Sequence, residues 1–182
     1  MEDLAKDWYG QCWTTNDDTD ALWRIYSHDK DGVKVRTTVR KLLENLVATG
    51  GAFSPLQFFA GAVDYHDLAA ITSMMSGVTF QDISFGGTND KFAELLCIKR
   101  KAFEHEAEVR ILFNDTEKKN SATGIFVYPL DANGIFDQVV LDPRLGQVEF
   151  DRLKQAIEGA GCKLPITQSD LYRVPAFTIP LQ

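Results

Sequence analysis

The sequence is poor in the residues that form disulfides and metal sites, with three cysteines and three histidines among 182 residues. The cysteines are far apart and odd in number, which is typical of a reducing compartment, and we expect a cytoplasmic protein. No pair has the spacing of a metal site, so no metal cofactor is expected. No apolar run approaches the roughly 20 residues that span a bilayer, and the acidic N-terminus is unlike a signal peptide.

Basic residues are also in deficit, with 19 Lys and Arg against 26 Asp and Glu and a net charge of −7. This balance argues against bulk binding to nucleic acid or to an anionic membrane, because such surfaces need an excess of cations. The sequence has no GxxxxGK[ST] or GxGxxG loop, no GxSxG elbow and no HExxH helix. Each histidine is expected to be a surface or capping residue.

The hydrophobic periodicity predicts an α+β fold, with a mixed and mostly antiparallel sheet and flanking helices in a single domain over 1–182. Helices are predicted around Leu4 and Trp8, around 21–25, and over 39–47, 67–75, 89–103 and 149–158. Strands are predicted over 11–14, 32–37, 58–65, 106–111, 125–128, 136–141 and 175–181, with loops over 77–88 and 115–121.

The segment from Glu106 to Ile111 alternates charged and apolar residues, which is the period of a half-buried strand. One face then carries Glu106, Glu108 and Arg110, with successive residues roughly 6.5 Å apart. Two acids beside a cation can tune each other's proton affinity, as acid/base and nucleotide-binding sites require. The alternative is an exposed strand with a local salt bridge, which composition alone favours.

A dense aromatic group precedes this segment, with Tyr9, Trp13, Trp23 and Tyr26 within eighteen residues. Buried Trp and Tyr side chains would mainly add core area. The functional alternative is a stacking wall for a planar ligand such as a nicotinamide or a base. The later 142–144 segment, Asp-Pro-Arg after a predicted strand, is expected to be a turn rather than a ligand site.

The order of the motifs resembles a widespread bacterial family that is known only as a domain of unknown function. The resemblance covers nearly the whole chain. It rests on CW at 12–13, ALWRIYS at 21–27, GVxVxT at 32–37, KRKAFEHEAEVRI at 99–111, VVLDPRL at 139–145 and SDLYxxP at 169–175. Members of the family typically begin with a Tyr-rich strand, a helix and an Asn-Asp-Pro motif. We expect this chain to lack that N-terminal segment.

The family layout is in turn remotely similar to that of ADP-ribosyltransferases, particularly DNA-modifying bacterial toxins. This similarity implies an ADP-ribosyltransferase-like fold, NAD as the substrate, and a role in toxin or phage-defence systems. It implies that Glu108 is the catalytic carboxylate, which stabilises the oxocarbenium character on the nicotinamide ribose, and that Glu106 is its partner. The residues implied in cofactor binding are Arg110, Arg100, Trp13, Trp23 and Tyr26.

Two other function classes fit the same residues. The first is a non-catalytic binding or regulatory module that retains the fold without the first strand. The second is a metal-dependent nuclease that uses Glu106, Glu108 and a nearby lysine, against which the acidic net charge counts. The sequence leaves the target macromolecule open, and a small nucleotide is the partner that the aromatic and charged residues favour.

Overall fold

The computed structural model describes residues 5–49, 57–78, 90–120 and 122–176. The chain divides into two compact units: the first contains Met1–Asp17 and Thr38–Asp131, and the second contains Asp18–Thr37 and Ala132–Gln182. Both units contain helices and strands, which confirms the mixed α+β prediction. That the chain is a single domain stays a prediction.

The described residues form eight strands and six α-helices. The strands are β1 (Trp8–Thr14), β2 (Val33–Arg36), β3 (Phe58–Ala62), β4 (Asp64–His66), β5 (Ile98–Arg100), β6 (Glu108–Asn114), β7 (Gln138–Leu141) and β8 (Ile166–Gln168). The helices are α1 (Asp20–Tyr26), α2 (Val39–Thr49), α3 (Leu68–Gly77), α4 (Asp90–Leu96), α5 (Ala132–Ile135) and α6 (Gln147–Gly159), and a 3₁₀ helix spans Lys101–Glu106.

Strand β6 is the central strand of the first unit. It pairs antiparallel with β1 on one side and with β3 on the other, and β4 pairs with β5 in a separate parallel ribbon. One face of β6 contributes Leu112 to a core with Ala93 and Cys97, against which Trp8 and Phe59 pack. Strand β6 is hydrogen-bonded along both edges, and one of its faces packs against this core. Its backbone is therefore fixed and can hold side chains in defined positions.

The second unit is built on the sheet β2-β7-β8, in which β7 pairs antiparallel with β2 and parallel with β8. Val139, Leu141 and Ile166 form its core, and Phe150 and Leu153 of α6 pack against it. Helix α1 begins after Thr19, whose side chain accepts a hydrogen bond from the Leu22 backbone and caps the helix.

Several predicted elements differ from the structure. The predicted helix over 89–103 is wrong, because α4 ends at Leu96 and the chain then pairs with β4 and turns through the 3₁₀ helix. The tertiary strand pairing overrides the helical period of this segment. The predicted helix near Trp8 is wrong at that residue, which begins β1, and residues 125–128 form no strand.

The prediction of one mixed sheet is also wrong, because the described strands form three sheets. The predicted loop over 77–88 and the predicted strand over 175–181 lie almost wholly outside the described residues. Within the described part of the chain, no helix is both long and apolar enough to cross a membrane.

Candidate active site

Glu108, the first residue of β6, is the centre of a cluster of charged side chains in the first unit. Its side chain is 5% exposed, and Arg110 donates to both of its oxygens, from Nε to Oε1 at 3.1 Å and from Nη2 to Oε2 at 3.2 Å. Lys99 Nζ donates to Oε2 at 3.1 Å. These three hydrogen bonds use both acceptor positions of Oε2 and one of Oε1.

The backbone around Glu108 is held by two further hydrogen bonds. Its N–H donates to the Tyr65 hydroxyl at 2.8 Å, and its carbonyl accepts from the Val63 N–H at 2.8 Å. Arg110 Nη1 also donates to the carbonyl of Leu96 at the end of α4. The ion pair is therefore anchored to β4, α4 and both neighbouring strands.

Lys99 joins the two carboxylates that the sequence singles out. Its ammonium donates to Glu106 Oε2 as well as to Glu108. Glu106 does not lie on β6; it ends the 3₁₀ helix, and Ala107 at φ 42° turns the chain into the strand. The predicted shared strand face is wrong for Glu106, yet this left-handed turn still brings both acids to one cation. Glu106 is 13% exposed and Lys99 24%.

The cluster shifts the proton affinity of several groups. Burial alone would raise the pKa of Glu108, but the hydrogen bonds from Arg110, Cys12 and Lys99 outweigh it and lower the pKa to about 2. Burial and the bond to Glu108 raise the pKa of the Cys12 thiol to about 11. Burial opposes the charged form of Lys99, but its bonds to Glu106 and Glu108 raise its pKa overall. Glu108 is thus a permanently ionised group at neutral pH.

Glu106 differs from Glu108 in its remaining capacity to bind. Its Oε1 atom has no hydrogen-bond partner among the described residues, since Lys99 contacts Oε2 alone. The position of its backbone is nevertheless fixed, because the carbonyl accepts from the Thr14 hydroxyl at 2.6 Å. Glu106 therefore offers a positioned oxygen that a ligand can use.

Of the aromatic residues implied in cofactor binding, only Trp13 belongs to the same unit as the two acids, and it lies on the other face of the sheet from Glu108. Trp13 pairs with Val109 in the sheet, so its side chain lies on the sheet face opposite Glu108. Trp23 and Tyr26 belong to the second unit. There Trp23 is 6% exposed and donates from its indole to Asp18, whereas Tyr26 is 70% exposed. Trp23 therefore acts as a core residue within its unit.

Arg100 is exposed and follows Lys99 on β5. Its guanidinium lies 5.5 Å from the centre of the Phe103 ring, and the Lys99 ammonium lies 5.0 Å from the same ring. Both distances are within the range of a cation–π contact. Arg100 thus lies beside the cluster without contacting either carboxylate.

The motifs of the second unit meet at an ion pair between Asp142 and Arg144. Asp142 is fully buried, and Arg144 Nε donates to it at 2.9 Å. Arg144 Nη2 also donates to the carbonyls of Trp23 and Ser27 at the end of α1, at 3.1 Å and 2.5 Å. These hydrogen bonds connect the turn at 142–144 to the C-terminal end of α1, which is a structural role. The sequence prediction of a turn is consistent with this geometry.

The sequence interpretation missed three contributors to the cluster: Lys99, Cys12 and Tyr65. In the sequence, Lys99 is marked only as the first residue of the motif at 99–111, and the parallel pairing of β5 with β4 places it in the cluster. Cys12 could have been found from the register, since it lies opposite Arg110. Nothing in the local sequence marks Tyr65.

No group of three or more His, Cys, Asp and Glu residues in the described part of the chain could hold a metal ion. Comparisons with protein-family models, with curated proteins and with solved structures found no match for the chain.

Proposed function

We propose that the chain is an NAD-dependent ADP-ribosyltransferase-like enzyme whose reaction centre is the cluster of Glu106, Glu108, Lys99 and Arg110. The observation that carries the proposal is the bridge from the Lys99 ammonium to both carboxylates. The Lys99 ammonium holds the buried carboxylate of Glu108, which accepts from two cations, next to the carboxylate of Glu106, whose Oε1 has no partner among the described residues. Such pairs of acids in unequal environments are typical of sites that divide two roles between two carboxylates.

The contacts support different roles for the two acids. Glu108 already accepts three hydrogen bonds from Arg110 and Lys99 and is 5% exposed, so it acts as a positioning charge. Glu106 has the unused Oε1 atom and is the carboxylate that touches substrate. This assignment reverses the roles that the resemblance implies.

The reaction in this proposal breaks the bond between the nicotinamide nitrogen and the ribose carbon of NAD. The electron pair of that bond leaves with nicotinamide, which departs as a neutral molecule, and positive charge develops on the ribose. The negative charge of Glu106 stabilises that charge more in the transition state than in the ground state, which accelerates the step. Water or an acceptor group then bonds to the ribose carbon and loses its proton.

The partly exposed cations provide the complementary interaction with the substrate. Lys99 and Arg110 are 24% and 20% exposed, and a phosphate oxygen is a ligand that both side chains favour. Arg100, exposed beside Phe103, extends the cationic edge. A dinucleotide with a pyrophosphate matches this combination of carboxylate and cations.

Nicotinamide release from NAD tests the proposal. We expect Glu106→Gln to lower the rate by about a hundredfold or more, because one stabilising charge is lost from the transition state. Glu104→Gln is the matched control, because Glu104 is an exposed acid in the same 3₁₀ helix. We expect it to retain the wild-type rate.

Two results contradict the proposal. One is an equal rate in wild type and Glu106→Gln. The other is a wild-type protein that neither releases nicotinamide nor binds NAD in a calorimetric titration. Thermal unfolding of each variant separates a lost reaction from a lost fold.

The second candidate function is a non-catalytic binding or regulatory module. The observation that favours it is the environment of Glu108, whose carboxylate accepts three hydrogen bonds from cations and is 5% exposed, as in ion pairs that only stabilise a fold. This alternative requires that Glu106→Gln leaves every measured ligand interaction unchanged.

A further inference from the structure

The opposite face of the β1-β6-β3 sheet carries a second candidate site, which is a cavity of about 440 Å³ in the first unit. Its walls include Tyr9 and Gln11 of β1, Phe113 of β6, and Phe126 and Tyr128 of the chain that crosses this face. In the sheet Gln11 lies opposite Ile111 and Tyr9 opposite Phe113. These residues alternate with Glu108 and Arg110 along the strands and therefore face away from that cluster.

Many of the residues that line the cavity are aromatic. The Phe126 ring is 4.2 Å from the Phe113 ring, 6.2 Å from the Tyr9 ring and 5.7 Å from the Tyr128 ring, with which it is stacked. Phe58 adds a further ring on β3, 5.0 Å from Phe113. Rings at these separations offer flat apolar surfaces against which another planar ring can stack.

Three polar side chains interrupt this apolar wall: Gln11, Tyr128 and Tyr9, whose buried hydroxyl has no hydrogen-bond partner among the described residues. The Tyr128 hydroxyl donates to Gln11 Oε1 at 3.1 Å. The Gln11 Nε2 group has no hydrogen-bond partner among the described residues, and the hydroxyl oxygen of Tyr128 keeps its acceptor capacity. Gln11 and Tyr128 therefore present one donor and one acceptor side by side.

We propose that this cavity binds a planar heteroaromatic compound that carries an adjacent hydrogen-bond acceptor and donor, the chemistry of a nucleobase edge or of an aromatic carboxamide. The ring stacks on the aromatic wall, and the polar edge bonds to Gln11 Nε2 and to the Tyr128 oxygen. A glutamine amide alone can contact the donor-and-acceptor edge of adenine through both of its polar atoms; here Gln11 Oε1 accepts from Tyr128, so the Tyr128 oxygen takes its place as the acceptor. The volume lies within the usual range for small-molecule sites.

The site is independent of the proposed reaction centre. The cavity lies on the opposite face of the sheet, and none of its residues contacts Glu106 or Glu108. Binding of a ligand in this cavity therefore does not depend on cleavage of NAD at the other face. An experiment that contradicts one proposal does not contradict the other.

Calorimetry and saturation-transfer NMR with adenine and nicotinamide as probes test this site. Two controls separate the contributions: toluene has the ring without the polar edge, and cyclohexanecarboxamide has the edge without the aromatic plane. We expect both heteroaromatic probes to bind and both controls to bind at least about tenfold more weakly.

Variants locate the binding. We expect Gln11→Glu, which replaces the donor by an acceptor, and Tyr128→Phe, which removes the hydroxyl, each to weaken binding about tenfold. Tyr172→Phe is the matched control, because its hydroxyl contacts Asp20 in the second unit. Unchanged affinity in both cavity variants, or no saturation transfer to either probe at millimolar concentration, overturns the proposal. Equal affinities for toluene and adenine would mean that the polar pair contributes nothing to binding, and this result overturns the proposal as well.

Discussion

Replacing Glu108 by glutamine removes the negative charge of a buried carboxylate that accepts hydrogen bonds from two cations. The side chain keeps its shape, so packing is unchanged and the perturbation is electrostatic. Arg110 and Lys99 then lose their charged partner in a place where the acid is 5% exposed. A neutral amide also meets cationic donors with its own NH₂ group, which cannot accept from them.

The magnitude follows from the pKa of Glu108. A pKa of about 2 in the folded protein, against an ordinary value of 4.5, corresponds to about 3 kcal/mol of interaction in favour of the ionised form. Breaking a buried ion pair by removing one partner typically costs about 3–5 kcal/mol. The two values agree, so we expect Glu108→Gln to lower the free energy of unfolding at pH 7 by about 3 kcal/mol.

The pH dependence of this effect has a definite sign. Because the folded-state pKa is depressed, the stabilisation by Glu108 is complete above about pH 4.5 and is lost as the pH falls toward 2. At pH 3 less than half of it remains. The difference between wild type and Glu108→Gln should therefore shrink by more than half between pH 7 and pH 3.

Urea unfolding of both proteins at the two pH values measures this difference, with Glu104→Gln as the exposed-acid control. We expect the control to change stability by less than about 0.5 kcal/mol. A loss below about 1 kcal/mol in Glu108→Gln at pH 7, or a loss of equal size at pH 3, would refute the account of the ion pair.

Two further predictions concern the buried Asp142 carboxylate and the Cys12 thiol. Arg144→Met should lower the stability of the chain by about 3–5 kcal/mol in urea unfolding, because it leaves the buried Asp142 carboxylate unpaired. Arg24→Met in α1 is the control, because Arg24 is exposed. Equal losses of stability in the two variants would contradict a stabilising role of the buried ion pair. Cys12 should react with iodoacetamide at pH 8 about tenfold more slowly than N-acetylcysteine, since its pKa of about 11 leaves little thiolate. Mass spectrometry of the modified peptide follows that reaction, and an equal rate contradicts the raised pKa.

Much of the fold follows from local patterns. Helices α1, α2, α3 and α6 and the strands β2, β3 and β7 lie where apolar periodicity predicts them. The segment between Leu96 and Glu108 could not be predicted in this way, because its conformation depends on β4. Ile98–Arg100 is a strand only through pairing with residues more than thirty positions earlier in the sequence.

The candidate site was likewise predictable only where it depends on a local sequence pattern. The alternation of residues 106–111 correctly marks Glu108 and Arg110 as neighbours on one face of a strand. It gives the wrong conformation for Glu106, because the left-handed backbone at Ala107 has no signature in an alanine. The contribution of Lys99 depends on the ribbon of β4 and β5, which no local pattern specifies.

The most direct test of the account is the rate of nicotinamide release from NAD by wild type, Glu106→Gln and Glu104→Gln, measured side by side on folded proteins. We expect wild type and Glu104→Gln to share one rate and Glu106→Gln to be slower by about a hundredfold or more. Equal rates in all three proteins, or no release and no NAD binding by any of them, would contradict it.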